Sequence, residues 1–129
     1  MCLVDSCTIN SILREMKYFQ TLTQGTVNIL TITGRDTNIV GSGWATIVLP
    51  MGTQVTIENA LLYHDSNHTL LSYRDIRKNG LHVITHEENK EEFLHIIKKN
   101  GYDHNILERI HFLPSGLYYI YIKPVPHIA

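Results

Sequence analysis

Apolar and polar positions along the 129-residue chain alternate with a period near two over most of its length, which predicts short strands. The first run, Leu3-Val4, drives straight into Asp5, and Ser6 follows at once. Two strand-forming aliphatics, then a carboxylate and a small hydroxyl, predict a strand whose exposed end presents Asp5 while Ser6 bonds local backbone to hold a turn. The plainer reading is an aspartate that only caps that turn. Over residues 10–19 the period changes. Ile12, Leu13, Met16 and Phe19 form an apolar stripe at helical spacing behind Asn10 or Ser11 as N-cap, so a short helix or helical turn packed on the sheet is expected.

From Thr26 the period returns to two. Val27, Ile29, Leu30 and Ile32 predict a strand closed by the turn residues Gly34-Arg35-Asp36. Ile39-Val40 and Gly41-Ser42-Gly43 lead into a strand over 44–49. Pro50-Met51-Gly52 reads as a turn, and 54–62 as a further strand. A polar loop at 64–68 precedes Thr69-Leu70-Leu71-Ser72, then a short helical piece over 73–78 stopped by Asn79-Gly80. Residues 81–85 read as a strand. On it His82 and His86 lie too far apart to chelate one metal, so neither is assigned as a ligand.

Residues 87–101 are ambiguous. Acids come first, bases last and a glycine ends the run, which suits a helix, yet Phe93 to Ile97 would also serve as a hairpin arm turning at Lys99-Asn100-Gly101. Strands are expected at 106–112 and 117–122, with Pro114-Ser115-Gly116 between them. Lys123 onward should be an extended tail, because its prolines cannot continue a sheet interior.

Length and composition change this picture little. A chain of this size with 43% hydrophobic and 18% charged residues suits one globular domain. Lys and Arg total 11 against 12 acids, which gives no basic surface for nucleic acid or an anionic membrane. No apolar run approaches a membrane span, and no signal-peptide pattern opens the chain. Cys2 and Cys7 are poorly placed to bridge each other and no zinc spacing occurs, so a reduced, intracellular, cytoplasmic chain is expected, with no metal and no cofactor. Short strands with Gly and Pro between them make the fold class all-β, a barrel or a sandwich, with one or two short helices. The domain is expected over residues 1–123, and the tail over 124–129.

Taken in order, these features resemble the protease-region β-barrel of copia-type retrotransposon Pol polyproteins from plants. The matching pieces span essentially the whole chain: Leu3-Val4-Asp5-Ser6-Cys7, Ile39-Val40-Gly41-Ser42-Gly43, Ala60-Leu61-Leu62-Tyr63, Thr69-Leu70-Leu71-Ser72, Ile76, Lys78-Asn79-Gly80 and Gly116-Leu117-Tyr118. The resemblance implies a retropepsin-like fold, a small closed or partly open β-barrel, with Asp5 as catalytic carboxylate and Ser6 orienting it. In a homodimer two such carboxylates, about 3 Å apart, share one proton because both cannot ionise, so one acts as base on water and the other as acid. It further implies that Leu70, Leu71 and Ser72 brace the active-site loop and that Gly41, Ser42 and Gly43 lie near the substrate-covering flap. It turns residues 92–97 toward a strand, makes a polyprotein or peptide the substrate, and allows a virus-like particle as location.

Three departures accompany the resemblance. Cys7 stands where retropepsins have glycine, and its side chain crowds a turn that needs close backbone approach. Only four residues precede Asp5, which leaves no room for an upstream dimer strand. The polyprotein's zinc knuckle, integrase and reverse transcriptase are absent, so a fragment is expected. A non-catalytic β-barrel remnant or interaction module is the alternative reading.

Overall fold

Alternation along the first strand sets the architecture. In β1 (Cys2–Asp5), Cys2 and Val4 join the main hydrophobic core, while Leu3 joins a smaller cluster on the opposite face. The same split recurs in β2 (Ile12–Leu13), β7 (Gln54–Leu62) and β8 (Thr69–Ser72). Leu13, Ala60 and Leu71 enter the main core, and Ile12, Leu61 and Leu70 enter the other cluster. One sheet is therefore covered on both faces. The computed structural model describes residues 2–6, 10–24, 29–31, 34–36, 41–66, 68–111 and 117–126.

The remaining strands among these residues are β3 (Thr23–Gln24), β4 (Ile29–Thr31), β5 (Gly34–Asp36), β6 (Gly41–Val48), β9 (His82–Glu88), β10 (Glu91–Asn100), β11 (Asp103–His111), β12 (Tyr118–Ile120) and β13 (Lys123–Pro124). Helix α1 spans Tyr73–Lys78, and a 3-10 turn spans Met16–Tyr18. The chain is mostly β, as its pattern predicts.

The large sheet has the order β12-β1-β8-β2-β7-β6-β13, with β3 added beside β6. Its end strands are not hydrogen-bonded to each other, so the expected closed barrel is absent among the described residues. The sheet is nevertheless curled. Only Tyr121 and Ile122 separate β12 from β13, a gap of at most about 11 Å. Seven flat strands would hold the same edges about 29 Å apart at roughly 4.8 Å per step. Pro124 stops further pairing on the outer side of β13, which makes this the edge position a proline tolerates. Part of the predicted tail is thus a strand; residues 127–129 lie outside the described residues.

Ile12 and Leu13 are strand residues, not the start of a helix. They fill a slot between β7, to which they run parallel, and β8, to which they run antiparallel. Adjacent residues that must reach opposite faces suit a strand. Met16, assigned to the helical stripe, is 56% exposed. Gly34-Arg35-Asp36, expected as a turn, pairs with β4 in a small separate hairpin, while Val27, Ile32, Ile39 and Val40 lie outside the described residues.

Helix α1 matches its predicted bounds because its ends are locally encoded. Ser72 Oγ accepts from Arg74 N at 3.1 Å as N-cap. At the other end Gly80 (φ +76°) lets its N–H reach Arg77 O while Leu81 N reaches Ile76 O, a Schellman closure in which Ile76 and Leu81 are both buried.

Residues 87–101 form hairpins, against the helix-like charge order. Phe93, Leu94, His95, Ile96 and Ile97 are all buried, which requires cover on both faces and suits a central strand. Asn89 and Lys90 both have left-handed φ (52° and 67°), the arrangement of a type I′ turn between β9 and β10. Lys90 bears a cost there that glycine avoids. Lys90→Gly is expected to raise unfolding free energy by about 0.5 kcal/mol, the balance of about 1 kcal/mol of relieved strain against added unfolded-chain entropy. The shift in urea midpoint at constant slope measures it, and a lower midpoint would contradict the turn assignment.

Candidate active site

The carboxyl end of β1 is where the sheet delivers its first polar side chain. Cys2, Leu3 and Val4 are buried; Asp5 is half-buried and Ser6 exposed. The strand runs parallel to β8 in the register Leu3↔Leu70, Val4↔Leu71 and Asp5↔Ser72. On its other side it is antiparallel to β12. Leu70, Leu71 and Ser72 therefore lie beside Asp5, and the ladder ends where β8 passes into α1.

Gly41, Ser42 and Gly43 are not brought to this end of the sheet as a flap. They lie within β6, paired with Leu62, Leu61 and Ala60, and β6 is four strand positions from β1. Their glycines serve close packing. A Cβ on Gly43 would stand 2.0 Å from the Thr21 carbonyl oxygen, and one on Gly41 would stand 2.9 Å from that of Thr23. The backbone at Thr21 and Thr23, at and just before β3, comes this close to β6, and only glycine admits that approach.

Behind Asp5 lies a buried polar network that the sequence reading did not single out. Ser11 Oγ donates to Asp75 Oδ2 at 2.6 Å, and Ser11 N donates to the same oxygen at 3.2 Å. Ser72 N donates to Ser11 Oγ at 3.0 Å. Ser11 and Ser72 are fully buried and Asp75 is 7% exposed. A legible signal existed: Ser72-Tyr-Arg-Asp75 has the spacing of a capping box, which marks residue 75 as an acid with a structural task. Asn79 extends the support. Its side-chain amide donates to Asp75 O at 2.7 Å and Thr56 O at 2.9 Å, and its oxygen accepts from Thr56 N at 3.0 Å, so it ties α1 to β7.

Two tyrosines flank the site. Burial pushes the Tyr73 phenol above its ordinary value, and the nearby negative charge of Asp5 adds to the effect. Burial raises Tyr118 as well, helped by the charge of Glu92 and a hydrogen bond to it. Both phenols stay neutral and can donate. Cys2 is no nucleophile, since burial pushes its thiol up to about 12. Cys7 lies outside the described residues. Among the described residues no three His, Cys, Asp or Glu side chains are grouped to hold a metal ion, and no helix is long and apolar enough to cross a membrane.

A second titratable cluster sits on the three-stranded sheet β9-β10-β11. His95 is 4% exposed and stacks on His86 at 4.9 Å between ring centroids. Arg109 covers Phe93 at 3.7 Å and pairs with Glu88. Burial, then the charges of His86 and Arg109, lower the pKa of His95, and Glu88 opposes them only partly. A base with a depressed folded-state pKa binds fewer protons than its unfolded counterpart. Its stability is thus fully present above the unfolded value near 6.5 and is lost as pH falls toward the folded value. His95→Leu is expected to flatten the decline in urea midpoint between about pH 7.5 and 5; an unaltered slope would show that His95 does not carry it.

No family model, no curated protein and no solved structure matches this chain.

Proposed function

We propose that this chain is the aspartic endopeptidase-like protease-region domain of a copia-type retrotransposon Pol polyprotein, working as a homodimer. The observation that carries the reading is the end of β1, where a half-buried carboxylate emerges from a buried strand beside the parallel segment Leu70-Leu71-Ser72 as that segment enters a helix. One such end holds half an active site. A second copy across a two-fold axis would bring its own Asp5 opposite, so that one carboxylate takes a proton from water and the other gives one to the peptide carbonyl oxygen. Ser6 would orient the pair by hydrogen bonding.

The substrate class is an extended polyprotein segment, with the cytoplasm or a virus-like particle as the place of action. The test is cleavage of a peptide library at mildly acidic pH, with pepstatin added and protein concentration varied. Pepstatin-sensitive turnover that falls more steeply than linearly on dilution supports the dimeric enzyme. Turnover insensitive to pepstatin, or a dimer without turnover, defeats it. Cys7, where the resemblance expects glycine, favours the second reading, a non-catalytic interaction module; a monomer in sedimentation with no turnover supports that one.

A further inference from the structure

The network behind β1 ties the start of β2 to the junction of β8 and α1, 61 to 64 residues further along the chain. Ser11 opens β2, Ser72 ends β8, and Asp75 sits in the first turn of α1. Asp75 Oδ2 receives both the N–H and the hydroxyl of Ser11, and the hydroxyl oxygen of Ser11 receives the Ser72 N–H. Ser72 is in turn the register partner of Asp5.

We infer that Asp75 is a positioning residue for Asp5, acting through Ser11 and the Ser72 backbone. This rests on the peptidase reading above for its catalytic consequence but not for its geometric one. Two carboxylates from separate chains share a proton only at a separation near 3 Å, so a strand end free to drift by 1 Å loses the coupling. A carboxylate suits the anchoring position because it accepts two donors from one residue at once, and charge-assisted bonds of that kind are short and strong. Burial excludes competing water. Neither Ser11 nor Asp75 contacts substrate in this scheme. Their role is to hold still the strand end from which Asp5 projects.

The test pairs Ser11→Ala, which deletes the hydroxyl link, with Asp75→Asn, which keeps one acceptor oxygen for it. Each is compared with the parent by carboxyl-carbon NMR titration of Asp5 and by peptidase kinetics, at matched folded fraction. In Ser11→Ala the Asp5 resonance and its titration midpoint should move while the other exposed aspartates, Asp65 and Asp103, stay in place. The kcat should fall about 10- to 100-fold with KM within twofold. Asp75→Asn should lie between the two. An Asp5 titration unchanged in folded Ser11→Ala overturns the inference. So does a loss of activity that only tracks the folded fraction, or a KM effect with kcat retained. If the parent protein cleaves nothing, the peptidase reading fails, and the Asp5 titration still decides whether the network positions that carboxylate. If Ser11→Ala does not fold, Asp75→Asn carries the same two readouts.

Discussion

Asp5→Asn is expected to lower kcat/KM for peptide cleavage by about three orders of magnitude, within the range seen when an acid–base group is removed. The size follows from symmetry. On the proposed reading one codon change would alter both halves of a homodimeric site, so neither the base toward water nor the acid toward the carbonyl would survive. Asparagine is nearly isosteric, and β1 is held by its buried aliphatics and by both neighbouring strands, so folding should be unchanged. The second readout is association. Two carboxylates held close make dimerisation depend on pH, because ionising both is unfavourable. Removing both should flatten that dependence in sedimentation between about pH 4 and 7. Activity surviving in Asp5→Asn would end the aspartic peptidase reading, whatever the fold.

Glu108→Ala should produce the largest loss of stability among single polar substitutions, about 3 kcal/mol. Glu108 is 1% exposed, although it lies on β11 among exposed neighbours. Its Oε1 accepts from Met51 N at 2.9 Å and its Oε2 from Thr53 Oγ1 at 2.7 Å. These bonds join the β6–β7 turn of the large sheet to the three-stranded sheet, at the seam where Ile47, Leu49 and Val55 share one core with Leu94, Ile96 and Ile110. Alanine leaves the Met51 N–H and the half-buried Thr53 hydroxyl without their acceptor and opens a void between the sheets. Glu108→Gln keeps an acceptor for Met51 N and should cost about 1 kcal/mol. Equal losses for the two variants, read from denaturant midpoints at constant slope, would show that the seam depends on packing alone.

Much of this architecture is legible because short-range chemistry dictates it. Alternating apolar positions predict the strand at residues 54–62. Ser72, Asn79 and Gly80 close a six-residue helix at both ends with bonds that span no more than five residues. The turn at Pro50-Met51-Gly52 belongs to the same class, with Gly52 at φ +95°. The position of Asp5 at a strand end is likewise a local property, since the aliphatics stop there.

What only the tertiary structure decided depends on neighbours distant in sequence. The charge order of residues 87–101 suits an isolated helix, but β10 is central between β9 and β11, and burial on both faces outweighs a macrodipole preference worth less than about 1 kcal/mol. Ile12 and Leu13 become a strand because β7 and β8 leave a slot between them, from residues some 50 positions away. Gly41 and Gly43 are required by the close approach of the Thr21 and Thr23 backbone beside β6. Ser11 and Asp75 are 64 residues apart, so nothing in the local pattern could pair them. The sequence by itself determined the strand period, the helix caps and a carboxylate at the end of β1. Three-dimensional packing decided which strands stand beside that carboxylate and which buried acid holds their ends, because a long-range hydrogen bond exists only once the chain between its partners has folded.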